Sequence, residues 1–361
     1  MSLKLATVFS GIGAIEHALE RMGIEHEIVF ACDNDKFVKQ SYFANWEISE
    51  EQWHHDICDI DGSKYEGKID LFVGGSPCQS FSLVGKQKGL ADNRGVLVFE
   101  FIRLIEEMKP RVFIFENVKG LKSHDKGNTW DILMKRFKSL GYDIHDQVLN
   151  AKNYGIPQNR ERVFVVGFLE KRNFEFPDAI PLEITMKDLL EDVPNPKYFL
   201  PEKGIKFVTA EKNLKKKYTQ IDGDIAVCQK ANQQFNWHGD FVTQDIEKYY
   251  LSDKVKKYVL AEGTKSFKSK PKTDLDIARP LLSTMAKMHR AGVDNYVTRD
   301  TRLRKLTPRE CLRLMGFSDK FKIEVSDTQM YKQAGNSVVV DVLIHLLTAM
   351  SIEEQAKQNA C

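Results

Sequence analysis

The chain is short of cysteine, with six in 361 residues, and no two of them form a C-x-x-C pair. The irregular spacing of Cys32, Cys58, Cys78, Cys228, Cys311 and Cys361 argues against a disulfide framework or a zinc site. Reduced thiols remain, and one of them can still be a nucleophile. No apolar run approaches the roughly 18 residues that a membrane span needs. The first residues lack a basic stretch followed by a long apolar one, so no signal peptide is expected there. Internal repeats and low-complexity stretches are absent, and the composition argues against a disordered chain. Net charge is only +2, which alone says nothing about a polyanionic partner. What is present is ordinary globular composition over a length beyond one usual core. One large domain with a smaller companion is the expected organisation.

The charge is unevenly spread. Residues 186–325 hold 28 Lys and Arg against 19 Asp and Glu, a net of +9, whereas the rest holds 25 against 32, a net of −7. A basic segment beside an acidic one suggests that the former faces a polyanion; a lysine-rich solvated surface is the plainer alternative.

The first half alternates strand and helix patterns. Strands are expected at residues 5–9, 28–32, 70–73, 112–115, 142–150 and 163–168. Helices are expected over 15–22, from 35 to about 45, over 96–108, and over 129–140. That alternation predicts an α/β fold with a doubly wound, mostly parallel sheet and helices on both faces. Beyond residue 170 the pattern weakens. Pro177, Pro181, Pro194, Pro196 and Pro201 punctuate it, and lysines cluster at 215–217 and 254–272. Helical order returns at 307–315, with Thr307 as N-cap and Pro308 at the first helical position. A last apolar helix over 338–350 is expected to bury against the first half. The resulting division is 1–185, 186–325 as a smaller irregular domain, and 326–361 returning to the first.

Four clusters lie where such a sheet binds ligands. Phe9-Ser10-Gly11-Ile12-Gly13 follows the first strand, where glycines let the backbone approach a ligand at a helix N-terminus. Asp33, at the end of the second strand, is placed to accept ribose hydroxyls. The pattern F-S-G-x-G is not G-x-G-x-x-G, so no pyrophosphate is indicated, and a purely structural turn stays open. Pro77-Cys78 follows the third strand among glycines and serines that keep the thiol accessible. Glu116 ends the next strand on the same edge, as a general acid, an acceptor from a protonated ring nitrogen, or a helix cap. Arg160 and Arg162, at alternate positions, can bind phosphate or a ring carbonyl, or form a surface ion pair.

In this order the motifs resemble those of the DNA cytosine-5 methyltransferases, most closely the short bacterial restriction-modification type. The resemblance is carried by Phe9-Ser10-Gly11, Pro77-Cys78-Gln79, Glu116-Asn117-Val118, residues 158–162, residues 304–317 (RKLTPRECLRLMGF) and residues 333–338 (QAGNSV). It spans about residues 3–170 and 279–348, while 186–278 matches nothing nameable. It implies the Rossmann-like fold of the S-adenosyl-methionine-dependent methyltransferases. It also implies Cys78 as nucleophile at cytosine C6, with Glu116 at N3 and the exocyclic amine. Arg162 would hold the base carbonyl, with Arg160 beside it.

For the cofactor, S-adenosyl-methionine leaving as S-adenosyl-homocysteine, the resemblance implies Phe9, Gly11, Ile12, Gly13, Asp33 on the ribose, and Asn34, Asp56 and Ile57 near the adenine. Gly75, Pro77, Leu97, Asn336 and Val338 complete that pocket, and no metal is implied. The target cytosine would be flipped out of double-stranded DNA. Gln79, Ser82, Lys86, Gln87 and Arg94 of the loop 79–96 would close over the DNA, and Thr284 would contact its backbone. Two departures stand out: Asn34 occupies a position where the family often has a bulky side chain, and Asp33 replaces a frequent glutamate.

The resemblance further implies a monomer in the bacterial cytoplasm, bacterial or phage-encoded, with no membrane partner. A cognate restriction endonuclease would act on the same sequence without a stable complex; an orphan or phage enzyme fits equally well. A tRNA-methylating relative stays open, although its Cys-Phe-Thr signature is absent, as does a catalytically silent DNA-binding relative. A nicotinamide oxidoreductase lacks the third glycine of the phosphate turn and leaves Pro77-Cys78 unexplained.

Overall fold

The structure, a computed structural model, describes residues 2–76, 97–231, 236–244, 257–258, 261, 263–264, 267–268 and 302–352. The expected alternation is present as β1 (Leu3–Val8), α1 (Ala14–Arg21), β2 (His26–Cys32), α2 (Lys36–Asn45), β3 (Trp53–His54), β4 (Leu71–Gly74), α3 (Leu97–Met108), β5 (Val112–Val118), α4 (Asn128–Ser139), β6 (Asp143–Asn150) and β7 (Glu161–Phe168). The seven strands form one sheet in the order β3-β2-β1-β4-β5-β7-β6. The pairs among β1 to β5 are parallel, while β7 runs antiparallel to both β5 and β6. Strand order reverses beside β1, the switch point at which such sheets open a crevice.

Alternating side chains explain why the strand sequences read as nearly continuous apolar runs. In β1, Leu3 and Leu5 join one core while Ala6 and Val8 join the other. In β5, Val112 and Ile114 face one way and Phe113 and Phe115 the other. A strand covered on both faces has no polar side to show. The helix α3 covers one face with Val98, Phe101, Ile102, Leu104, Ile105 and Met108, at the three- and four-residue spacing of a single stripe.

The second half is less regular. The helices α5 (Glu202–Val208) and α6 (Glu211–Lys215) precede β8 (Thr219–Ile221) and β9 (Gly239–Gln244). A two-residue ladder, β10 (Gly263–Thr264) with β11 (Phe267–Lys268), comes before β12 (Arg302–Lys305). Strands β12, β9 and β8 form a separate three-stranded sheet in that order. The chain then enters α7 (Pro308–Arg313), α8 (Asp327–Asn336) and α9 (Val340–Ala349).

Thr307 caps α7 as expected, accepting from the Glu310 N–H at 3.2 Å while Glu310 accepts from the Thr307 N–H at 2.8 Å. The helix α9 packs on α1, where Arg21 donates to Asp341 at 2.8 and 3.0 Å and to the Gly316 carbonyl at 2.9 Å. The helix α8 was not anticipated. Its sequence, DTQMYKQAGN, buries Met330, Tyr331, Gln333, Ala334 and Gly335, a stripe with too few apolar positions to show as a periodicity. Residues 335–336 therefore end a helix; the expected final helix begins at Val340 rather than 338.

One buried ion pair joins β12 to α7. The Arg304 guanidinium donates from Nη1 and Nη2 to the two Glu310 oxygens, both at 2.8 Å, with side chains 0% and 1% exposed. The same carboxylate accepts the N–H groups of Thr307 and of Glu191, the latter at 2.7 Å. Removing one member of a buried pair strands the other charge in a low dielectric. The substitution Glu310→Ala is thus expected to cost about 3–5 kcal/mol, read as a lower urea midpoint. An unchanged midpoint would show that the pair adds nothing to stability.

Candidate active site

The strands β1, β2, β4 and β5 all end on one edge of the sheet, and each delivers one part of the site. After β1, the chain enters the left-handed region at Phe9 (φ 54°), Gly11 (φ 55°) and Gly13 (φ 82°). At Gly13 a side chain is also barred by space, since a Cβ there would lie 2.0 Å from the Trp46 Nε1. That indole donates to the Ile12 carbonyl at 3.0 Å, so α2 holds the turn from behind.

After β2, the Asp33 carboxylate fastens the same turn. It accepts the Gly11 N–H at 3.1 Å and the Asp35 N–H at 3.0 Å. Burial pushes this carboxyl up, while the two N–H groups pull it down. After β4 comes Gly75, where a Cβ would meet both the backbone oxygen and the Oε2 of Glu116 at 2.9 Å. The lack of a side chain at residue 75 is what lets β4 and the β5 carboxylate come together.

Glu116 lies on β5 and Arg162 at the start of β7. The antiparallel register sets Val118 opposite Arg162, which brings the Arg162 Nε to 3.0 Å from the Glu116 Oε1. Their side chains are 14% and 17% exposed. Burial raises the Glu116 carboxyl above its usual range, against the pull of Arg162 and Arg160. A carboxyl so held is fit to carry and pass a proton.

A single cleft of about 530 Å³ is lined by Phe9, Gly11, Asp33, Asn34, Asp56, Ile57, Gly75, Leu97, Glu116, Arg160, Arg162 and Asn336. Val338 lines a smaller adjoining cavity beside Phe9 and Glu116. Two expected residues stay out of the cleft. Ile12 is buried in the core at 1% exposure, and Gly13 caps α1. Arg160 reaches the cleft wall, but its guanidinium donates to the Gln229, Gly335 and Ser337 carbonyls at 2.8, 3.0 and 2.7 Å. A shared strand face for Arg160 and Arg162 would require the strand to begin before both; β7 begins at Glu161, leaving Arg160 in the loop before it. Pro77, Cys78, Gln79, Ser82, Lys86, Gln87, Arg94 and Thr284 lie outside the described residues.

Sequence reasoning missed His55, Lys332 and Gln333, which also line the cleft. Lys332 lies 2.6 Å from Asp35. Gln333 stood inside the quoted QAGNSV motif, a signal that was there to follow; His55 and Lys332 had none. Among the described residues no cluster of three or more metal-ligating side chains occurs. No described helix is long and apolar enough to cross a membrane.

The chain belongs to the C-5 cytosine-specific DNA methylases, which it matches over residues 3–351. It is a DNA cytosine-5 methyltransferase, of a family that uses S-adenosyl-methionine and acts on DNA. Among its relatives is the type II methyltransferase M.HhaI of Haemophilus parahaemolyticus, 33% identical over 347 residues that cover 95% of this chain and 93% of that one. Another is the orphan methyltransferase M.SPRI of Bacillus phage SPR, 30% identical over 94% of this chain and 95% of that one. Among solved structures, the Entamoeba histolytica methyltransferase EhMeth shares the fold with a TM-score of 0.68 at 19% identity, covering 98% of this chain and 99% of that one.

The close approach at Gly75 yields a test. A methyl group there must displace Glu116, and a displacement near 1 Å in an active site costs on the order of 100-fold in rate. The substitution Gly75→Ala is expected to lower kcat by about that factor with little change in the urea midpoint. Near-normal turnover would mean that Glu116 is not held where the chemistry needs it.

Proposed function

We propose that the cleft transfers the methyl group of S-adenosyl-methionine to C5 of a flipped-out cytosine in a short duplex DNA sequence, through a covalent cysteine adduct. The observation that carries this reading is the meeting, in one cleft, of the Gly11–Asp33 turn with the Glu116–Arg162 pair. The turn suits a nucleoside-bearing cofactor. Its glycines permit close backbone approach, and Asp33 offers a carboxylate at the ribose position beside the exposed Asn34 and Asp56. When bound, S-adenosyl-methionine supplies an electrophilic methyl group on a sulfonium.

The protein's own residues prepare the base. The Cys78 thiolate forms a bond to C6 while Glu116 donates a proton to N3, so electron density collects at C5. Arg162 orients the Glu116 carboxyl and is near enough to the cleft to hold the base carbonyl. After C5 has bonded the methyl group, its proton leaves to a base. The thiolate then departs with the C6–S electrons, Glu116 recovers its proton, and the ring is aromatic again. A carboxyl raised by burial supports the proton-carrying role of Glu116. Arg160, donating to three carbonyls, holds the wall of the cleft rather than the base.

In this reading residues 1–185 and 326–361 form the catalytic unit and 186–325 read the target. Lysines of the basic stretch neutralise phosphates; Lys257 is exposed, while Lys254 and Lys256 lie outside the described residues. The enzyme acts as the modification component of a restriction-modification system, a reading supported by the type II methyltransferases among its relatives.

Bisulfite sequencing of plasmid DNA from cells expressing the protein tests this directly. Protected cytosines in one short motif are expected, and none with Cys78→Ala. Purified wild-type protein is expected to form a covalent adduct with DNA carrying 5-fluorocytosine, because C5 then has no proton to lose. Methylation by the variant at the wild-type level would remove Cys78 as nucleophile. Replacing Lys254, Lys256 and Lys257 together is expected to flatten the salt dependence of DNA binding by roughly 0.9 in slope per lysine on a phosphate. An unchanged slope would place those lysines away from DNA.

A further inference from the structure

Behind the turn at residues 9–13 lies a carboxyl group that the mechanism above does not use. Glu16, in the first turn of α1, is completely buried, and among the described residues its Oε2 has no hydrogen-bond partner. Its Oε1 accepts from the Tyr42 hydroxyl and lies 3.4 Å from the Thr7 Oγ1. The Thr7 Oγ1 lies 2.7 Å from the Ser10 Oγ. The Ser10 Oγ in turn accepts the Cys32 N–H at 3.0 Å and lies 3.1 Å from the Cys32 carbonyl. A chain of oxygens thus runs from the interior to the turn and on to the end of β2, one residue before Asp33.

Each hydroxyl has one proton to give. If Ser10 donates to the Cys32 carbonyl, then the Thr7–Ser10 contact takes its proton from Thr7. The Thr7–Glu16 contact must then take its proton from Glu16, which requires a neutral carboxylic acid. If Glu16 is ionised, the chain reverses: Thr7 donates to the carboxylate, Ser10 donates to Thr7, and the tie from Ser10 to the Cys32 carbonyl is given up. We propose that Glu16 is a positioning residue for the cofactor: its proton sets the direction of this chain and so how firmly the turn at residues 9–13 is fastened to β2. The inference rests on reading that turn as the cofactor cradle.

The surroundings favour a titration in the working range. Burial raises Glu16 to about 7, while the bonds from Tyr42 and Thr7 lower it. Around it, α2 presents Tyr42, whose hydroxyl burial holds well above its ordinary range. The end of β2 and the following turn carry Cys32, Asp33 and Asp35, the last paired with Lys332 of α8. On α1, Glu20 pairs with His17, which stacks on Phe317 and accepts the Ser318 N–H; α9 adds Asp341, paired with Arg21. Among the described residues, the Glu16 side chain is bonded by Tyr42, by its own backbone N–H and by Thr7. Because its carboxyl is raised, the neutral form and the bond from the Ser10 hydroxyl to the Cys32 carbonyl are present below about pH 7 and lost above it, while the Ser10 N–H keeps its own bond to that carbonyl at 3.0 Å.

The test is calorimetric binding of S-adenosyl-homocysteine, which lacks the sulfonium charge that a carboxylate would attract directly. The wild-type dissociation constant is expected to rise about three- to tenfold between roughly pH 6 and pH 8.5, the size of one hydrogen bond's net contribution. Glu16→Gln, a permanently uncharged donor of similar shape, is expected to remove that rise. Tyr42→Phe removes a bond that holds the charged form, so it should move the midpoint to higher pH; it keeps the inference testable should Glu16→Gln not fold. Tight but pH-independent binding by the wild type, or a rise that persists in Glu16→Gln, would overturn the inference alone. No binding at any pH would overturn the reading of the turn as well.

Discussion

The site depends on one constraint, the common direction of β1, β2, β4 and β5. Parallel strands in register end together, so their following residues are delivered to one edge whatever the intervening chain does. Phe9, Asp33, Gly75 and Glu116 are far apart in sequence and meet for that reason alone. The reversed strand β7 completes the set. It begins where its neighbours end, so Arg162 enters the edge from the opposite direction and meets Glu116 across the β5–β7 ladder. Were β7 parallel, its first residues would lie at the far end of the sheet.

Much of this was legible from the amino acids. Apolar runs of four to six residues alternating with helical stripes fix a sheet covered on both faces, because only such strands have no polar side. Gly11, Gly13 and Gly75 marked turns whose need for glycine is now explained by left-handed backbone or by a neighbour within 3 Å. The cleft gathers twelve of the expected cofactor and catalytic residues outside residues 77–96. What stayed illegible has a common cause. The reversal of β7, the polar helix α8 and the place of Arg160 are set by contacts between distant segments, and no local periodicity or turn chemistry encodes them. A paired spacing such as that of Arg160 and Arg162 predicts a shared face only if both residues lie in the strand; here the strand starts between them.

Arg160 shows what those distant contacts do. Its guanidinium is 3% exposed by residue and is held by carbonyls from two segments that the sequence separates widely, Gln229 on one side and Gly335 with Ser337 on the other. Beside it, the Gln158 side chain donates to the Leu314 carbonyl at 2.8 Å and accepts the Gln229 N–H at 3.0 Å. The backbones of residues 157 and 159 bond to Ala226 at 2.8 and 2.9 Å. A Cβ at Gly335 would lie 2.5 Å from the Ala231 nitrogen, so these two segments touch through bare backbone.

A buried cation bonded to three carbonyls resists displacement, because each carbonyl that moves away leaves charge unsolvated in a low dielectric. The stretch 226–231 is therefore tied to the residues immediately before β7. Asp240 on β9 reaches the same stretch, accepting the Val227 N–H at 3.1 and 3.2 Å. Through it, the three-stranded sheet of β8, β9 and β12 is joined to the loop from which Arg162 enters the cleft. A displacement of that small sheet must either break hydrogen bonds at Asp240 and Arg160 or carry the Arg162–Glu116 pair with it. The geometry of the Glu116 carboxyl is thus coupled to the less regular half of the chain by these polar contacts as well as through the apolar core, which Ala226 and Val242 of β9 join while Leu200, Val208 and Phe241 form a separate small cluster.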